Sequence, residues 1–527
     1  MRKIYLLVIL QTVMQMVYAG DINWNDGFPV YNLNLSDGLS YMVEAQGSLS
    51  NHKTPLWLNA NKYGLSSLES VNGYGRVSLM RPLQTDSVRR WGVGYGLDVA
   101  VAHRNTSTFV VQQAFVEMRW LHGVLSVGSK QWPMELKNNR LSSGSQTLGI
   151  NARPVPQVRL SLPEYWVLPF GNGMLRVKGH LAYGKMTDDN WQHAHTGMHR
   201  KYTDDVMYHS KAGYIMIGNP DRFMPLSLEL GLEMAAQYGG TMHNFLPDGT
   251  EYLVKGNSGL KGMWNAFVPG GADATELSTV YQNAEGNHVG SWVMRLNYDA
   301  DEYRVSLYGD KYFEDHSSMF LLDYDGYGTG SEWNKKKKSK FFLYDLSDWM
   351  LGFELSFKYK TWLKSLVFEY ISSEYQSGPI YHDHTMGNEV HIGGNDNFYN
   401  HYIYPGWQHW GQAIGNPLYR SPLYNDNEVV SFQNNRMKAF HLGAEGLITD
   451  RLSYRLLATH QYGFGTYQYP YAKKRSNTSF MLETTYSMPK DWQITGAYGM
   501  DFGKLLGNNA GVQFTIRKSG LLKKMGR

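Results

Sequence analysis

The chain has 527 residues, 18 % of them charged, a formal net charge of +4 and no cysteine. Near-balanced charge gives no electrostatic footprint for nucleic acid, and the missing cysteine removes a disulfide framework, a thiolate metal site and a cysteine-linked lipid anchor. A mean hydropathy of −0.43 is too polar for a bundle of membrane helices, yet 38 Tyr and 15 Trp bring aromatics to 14 %. Such a composition suits a membrane barrel with a wet interior, a narrow lipid-facing band and aromatic girdles. The competing class at this level is a large soluble β-protein with carbohydrate-binding aromatics.

In chain order, Arg2 and Lys3 followed by the apolar run Ile4 to Leu10 read as a signal peptide. Val17-Tyr18-Ala19 before Gly20 suits cleavage. The apolar run is interrupted by Gln11 and is too short to span a bilayer as a helix. The expected division is 1–19 signal peptide, 20–39 periplasmic lead-in, 40–518 barrel and 519–527 tail. This places the protein, exported, in a bacterial outer membrane.

From Tyr41 onward the chain predicts an all-β fold, a transmembrane antiparallel barrel of about eighteen strands. The strands fall near 40–50, 73–82, 91–103, 108–119, 122–131, 157–167, 174–186, 210–219, 225–238, 288–299, 302–313, 348–358, 360–373, 436–448, 450–463, 477–488, 490–502 and 508–518. The clearest alternation is at 224–237, where Leu226, Leu228, Leu230, Leu232 and Met234 take one parity and Glu229 and Glu233 the other. A period of two gives one apolar and one polar face. Strand 436–448 alternates poorly. Tight turns at 168–173, 220–224, 299–302, 359–360, 449–450 and 489–491 alternate with long connections at 132–156, 187–209, 239–287, 314–347 and 374–435. This is the pattern of short periplasmic turns and long extracellular loops. The polar faces carry both signs: Arg176, Lys178, Arg295, Arg304 and Arg455 among Glu229, Glu233, Asp310, Glu369 and Glu483. Mixed sign points to internal salt bridges and an occluded lumen, although eighteen strands would also allow a channel.

Three stretches carry a resemblance: GSKQWPMELKNNRLSSGSQTLGINARPVPQVRLSLPE (128–164), GGNDNFYNHYIYPGWQHWGQAIGNPL (393–418) and DNEVVSFQNNRMKAFHLGAEG (426–446). They resemble the capsule assembly protein Wzi family in its Bacteroidetes-type form. The resemblance runs from about residue 40 to the C-terminus. It implies an eighteen-stranded outer-membrane barrel that acts as a lectin and helps hold exported capsular polysaccharide on the cell surface. Two features depart from it. No segment matches the periplasmic helical bundle of enterobacterial members, and the last predicted strand is followed by LLKKMGR instead of ending on an aromatic.

Sugar binding needs flat apolar faces for pyranose rings, planar polar groups for hydroxyls, and Arg or Lys for acidic substituents. The long loops supply candidates: Trp407, Gln408, His409 and Trp410, with Asn395, Asp396 and Tyr399; Trp132, Arg140 and Arg153; Asn435 and Arg436. The same residues suit a packed loop plug, with the aromatics as its core and Asn and Gly making turns. His382, His384, His391, His401 and His409 lack a third ligand at diagnostic spacing, and the Asp323 stretch lacks the closing acid of a calcium loop, so no metal and no cofactor is assigned. No GxSxG occurs. Lys335–Lys338 reads as a solvated loop able to meet lipopolysaccharide phosphates or an acidic glycan. The function expected is a non-enzymatic barrel that binds capsular or other surface polysaccharide, in contact with outer-membrane lipid. A porin-like channel for oligosaccharides is the alternative.

Overall fold

A computed structural model describes residues 34–86, 90–219, 224–269, 286–314, 348–359, 361–382 and 391–522, without the side chains of 377–382 and 391–395. The signal peptide, most of the lead-in, the Asp323 stretch, Lys335–Lys338 and His384 lie outside the described residues.

Eighteen strands form one sheet. They are β1 (Ser40–Ser50), β2 (Val71–Arg81), β3 (Trp91–His103), β4 (Phe109–Trp120), β5 (Gly123–Ser129), β6 (Gln157–Val167), β7 (Leu175–Lys185), β8 (Met207–Ile217) and β9 (Leu226–Tyr238). They continue as β10 (Asn287–Asp299), β11 (Tyr303–Glu314), β12 (Met350–Phe357), β13 (Ser365–Ser372), β14 (Arg436–Thr449), β15 (Leu452–Gly465), β16 (Pro470–Met488), β17 (Trp492–Gly503) and β18 (Asn509–Leu521). Each pairs antiparallel with its neighbours in chain order, and β18 returns to β1 from Ser40↔Leu521 to Ser50↔Gly511. A closed sheet has no free edge, so every strand's backbone groups find partners without water. Every predicted strand is present. The main boundary difference is β16, which begins at Pro470 and carries exposed residues 472–476 beyond the wall.

The outward parity is apolar all round: Val43, Val77, Val127, Leu160, Leu230, Leu296, Leu351, Leu442, Leu482 and Val512 are exposed. At the end with the short turns stand Trp91, Trp120, Trp166 and Trp492, with Trp91 and Trp120 edge-to-face at 4.1 Å. An apolar belt with such a girdle is the lipid-facing surface of a membrane barrel. Among the described residues no helix is long and apolar enough to cross a membrane; the helices are α1 (Leu56–Asn59), α2 (Trp191–Thr196) and α3 (Leu260–Phe267).

The inward parity meets protein. Among the described residues three connections, 51–70, 130–156 and 396–435, fold into the lumen. In the first, the run Leu56-Trp57-Leu58 breaks the period of two and is wholly buried. Trp57 Nε1–H donates to Thr459 Oγ1 of β15 (3.1 Å), and the Leu56 N–H to Asp501 of β17 (3.1 Å). In the second, Lys137 pairs with Asp310 of β11 (2.9 Å), the Ser143 N–H donates to Glu369 of β13 (2.8 Å), and the Leu141 carbonyl accepts from His441 of β14 (2.7 Å). The third locks onto the second. Trp407 Nε1–H donates to the Thr147 carbonyl (2.9 Å), the Tyr399 hydroxyl to that of Gln146, and Asn151 Nδ2 to that of Ala413 (3.0 Å).

Leu141, Tyr399, Trp407 and Phe432 of this plug share one apolar core with Val367, Met437 and Met481 of the wall. Two glycines permit the approach: a Cβ on Gly443 would lie 2.4 Å from the Leu141 carbonyl oxygen, and one on Gly415 would lie 2.0 Å from the Tyr399 hydroxyl. β14 therefore alternates poorly for a physical reason. Its inner positions Met437, Ala439 and Gly443 face plug instead of water, while Phe440 and Leu442 face lipid.

The mixed lumen charge resolves into ion pairs, Arg295–Glu354 (2.8 Å) and Arg455–Glu483 (3.0 Å) beside Lys137–Asp310. Arg304 instead sits at the rim and pairs with Asp299 of the turn.

Trp57→Ala is expected to cost about 3–5 kcal/mol, the usual loss for emptying a buried aromatic site. A thermal unfolding curve of the purified protein in detergent should shift down accordingly; an unchanged midpoint would mean the plug is not stabilised through this side chain.

Candidate functional site

The predicted sugar-binding residues separate into structural classes. Trp407 is completely buried, its ring stacked 6.0 Å from Tyr208. Tyr399 is equally buried, in the left-handed region at φ 69°, with its ring 4.2 Å from Tyr419. Neither offers a face to a sugar in this conformation. Gln408 turns back to accept from the Gly411 N–H (2.7 Å). Asn435 donates to the Phe398 carbonyl (2.8 Å) and to Asn397 (2.6 Å), bracing the loop. Asp396 is half-buried and bonds Gln376 through its backbone, and the side chain of Asn395 lies outside the described residues. These are plug contacts, as the alternative reading of the aromatics anticipated.

His409 is buried between the Arg153 carbonyl (2.8 Å to Nδ1) and the Thr187 N–H (3.1 Å to Nε2). Burial pushes it down to about 4, against the opposing pull of its hydrogen bond to Arg153. Arg153 covers the half-buried Trp410 at 4.0 Å and donates to Thr106 (2.8 Å), and burial lowers it to about 10. Arg140 goes elsewhere. Its loop dives so deep that it pairs with Glu445, near the short-turn end of β14 (2.6 Å), on the underside of the plug. Trp132 points inward between Lys130 (4.7 Å) and Arg159 (4.0 Å). Arg436 lies on the ring of Tyr467 at 3.9 Å, at the long-loop end.

At the long-loop end the described residues form a cleft of about 550 Å³. Its floor is buried Tyr424 and half-buried Arg420, which donates to Asn425 (2.6 Å) and to the Tyr424 carbonyl (2.6 Å). Burial lowers Arg420 from its ordinary value. The walls come from three other segments: Lys53 of the first plug loop, Tyr471 and Arg475 of the extended start of β16, and Lys504 after β17. The Arg475 guanidinium lies 4.0 Å over the Tyr471 ring. Lys53, Arg420, Arg475 and Lys504 face one carboxylate, Asp426, which Lys53 holds at 2.7 Å. Lys473, Lys474 and Tyr469, neighbours of these residues in the chain, are exposed. Cations beside an aromatic face are what an acidic sugar chain requires.

Sequence reasoning missed this cleft because its residues come from four separate segments. The one local signal was Tyr471-Ala472-Lys473-Lys474-Arg475, basic and aromatic together. Among the described residues no group of three or more His, Asp or Glu is placed to hold a metal ion.

No family model matches the sequence, and no curated protein matches it. In structure the chain is similar to Wzi of Escherichia coli, an outer-membrane, carbohydrate-binding β-barrel involved in group 1 capsule assembly. The TM-score is 0.55 at 12 % identity, over 93 % of this chain and 85 % of that one. It also overlays OccD3 of Pseudomonas aeruginosa (TM-score 0.42, 10 % identity, 92 % of this chain and 91 % of that one) and OprD of the same organism (0.41, 9 %, 92 % and 94 %). The likeness to Wzi establishes the fold as an outer-membrane barrel.

The histidines of the plug make its stability pH-dependent. His409 is held near 4 and His401, also lowered chiefly by burial, near 3, whereas an unfolded histidine titrates near 6.5. Below about pH 6.5 the unfolded chain takes up protons that the folded plug excludes. The contribution of these two histidines to stability is therefore full above that value and falls as pH drops toward the folded values. Unfolding midpoints measured from pH 7 to pH 4 should fall, and His409→Gln, which can both donate and accept in place of the ring, should flatten part of that fall. An identical pH profile in the variant would show that His409 is not buried neutral.

Proposed function

We propose that this protein is an outer-membrane barrel that binds surface polysaccharide at its long-loop end and holds it without altering it, in support of capsule assembly or attachment. The observation that carries this reading is the cleft of four cations, one carboxylate and the Tyr471 face, built on top of a lumen packed with protein. Such a surface suits a polymer bearing uronate, pyruvate or phosphate groups. Each repeat would gain only modest stacking and charge-assisted contacts. A repeating chain meeting many copies of the barrel would multiply them through avidity. The likeness to Wzi supports the same class, since that protein is carbohydrate-binding and involved in capsule assembly. The apolar belt implies contact with outer-membrane lipid.

The channel alternative needs a continuous water path. Completely buried Trp57, Leu141, Tyr399 and Trp407 stand across the lumen, and they count against it.

The test is retention of the host's own surface polysaccharide by the purified, detergent-solubilised protein, compared with an unrelated barrel. The double variant Arg475→Gln, Lys504→Gln should weaken retention roughly tenfold or more, about 1.4 kcal/mol, and added salt should weaken it in the wild type. Retention that is unchanged in the double variant would remove the cleft as the binding surface. In planar bilayers the protein should give no conductance steps; regular steps would favour the channel.

A further inference from the structure

One guanidinium inside the barrel has no partner that matches it. Arg159 of β6 points inward into a cavity of about 80 Å³, under Leu148, Gly149 and Ile414 of the plug. Its guanidinium carbon lies 4.0 Å over the Trp132 ring, and it makes no hydrogen bond or ion pair with any described residue. The carboxylates around it, of which Glu135 and Glu233 line the same cavity, act on it only through space and hold other partners. Glu117 holds Lys130 (2.6 Å) and Ser126 (2.9 Å), Glu135 holds Lys178 (2.6 Å), and Glu233 accepts from Tyr214 (2.8 Å).

One further donor at the same cavity is idle: Trp132 Nε1–H is buried with no acceptor among the described residues. A buried guanidinium without a hydrogen-bonded partner, beside a buried donor without an acceptor, costs free energy that a matching guest recovers. An arginine fork matches a planar or tetrahedral oxyanion in bidentate fashion. The cavity has room for about two or three waters, or one ion of that size.

We propose that this cavity is a binding site for a small oxyanion, a carboxylate or a phosphate, gripped by the Arg159 guanidinium with the Trp132 indole N–H as a further donor. The site is separate from the outer cleft, shares none of its residues and does not depend on the glycan reading.

The test uses the full-length protein in non-ionic detergent, with inorganic phosphate and acetate as separate probes against chloride at equal ionic strength. Binding is read by calorimetry and by the rise in unfolding midpoint, after equilibration and after refolding in the presence of the ion. One of the two ions should bind once per chain and stabilise the protein. Arg159→Gln should weaken that binding roughly tenfold or more. Trp132→Phe, which keeps the stacked ring and loses the N–H, should weaken it several-fold, and Arg475→Gln in the outer cleft should leave it unchanged. Phosphate alone or acetate alone identifies the kind of oxyanion. The proposal is overturned if neither ion binds, if binding survives Arg159→Gln, or if it is lost in Arg475→Gln. Should Arg159→Gln not fold, unchanged binding in Trp132→Phe overturns it.

Discussion

The structure depends on the need to satisfy carboxylates that the closed wall turns inward. Glu233, Asp310, Glu369 and Asp501 are almost completely buried. In a water-filled pore they would need no protein partner. Here apolar side chains have displaced the water, and an ionised group without donors would be prohibitively costly. The plug supplies the donors: the Gln146 N–H (3.0 Å) and Lys137 for Asp310, Ser142 and the Ser143 N–H for Glu369, and the Leu56 N–H for Asp501. Several of these donors are backbone groups, so they fix the path of the loop and not merely a side chain. Wall and plug specify each other.

The outer cleft inherits its rigidity from that arrangement. Tyr424 and Arg420 form its floor because the third plug segment is packed from below, and Asn425 closes that segment by donating to the Val429 and Ser431 carbonyls, both at 2.8 Å. Of the cleft's cations, Arg420 is the one held on that floor, by its bonds to Asn425 and the Tyr424 carbonyl. The same plug gives the barrel two unlike faces, basic and aromatic above, and below a surface where Arg140 answers Glu445.

The wall was legible in the sequence because lipid on one side and polar groups on the other impose a strict period of two, seen best in Leu226 to Met234. The plug was legible only as a possibility. Trp407 and Tyr399 read equally well as sugar platforms and as core, since a stacking face and a packing face are the same chemistry; burial separates them. The segment 51–70 was not recognised as part of the plug at all, although Leu56-Trp57-Leu58 is apolar out of phase with any strand. The cleft could not be read from the chain, because Lys53, Arg420, Arg475 and Lys504 become neighbours only through closure of the sheet. Arg140 and Arg153, thirteen positions apart in one loop, end on opposite sides of the plug, which no spacing rule anticipates.

The first plug segment has a consequence for how the chain reaches its native state. It follows β1 directly, yet its partners Thr459, Asp501 and Gln513 belong to β15, β17 and β18. A chain made from its N-terminus therefore carries Leu56 to Leu58 with nowhere to bury them until its last strands exist. Those same strands complete the seam with β1. Contacts so distant in sequence are slow to form and are rewarded late. Zipping the final seam and drying the interior become one cooperative step, and a chain cut short before β17 would lack both the lock and the keyhole.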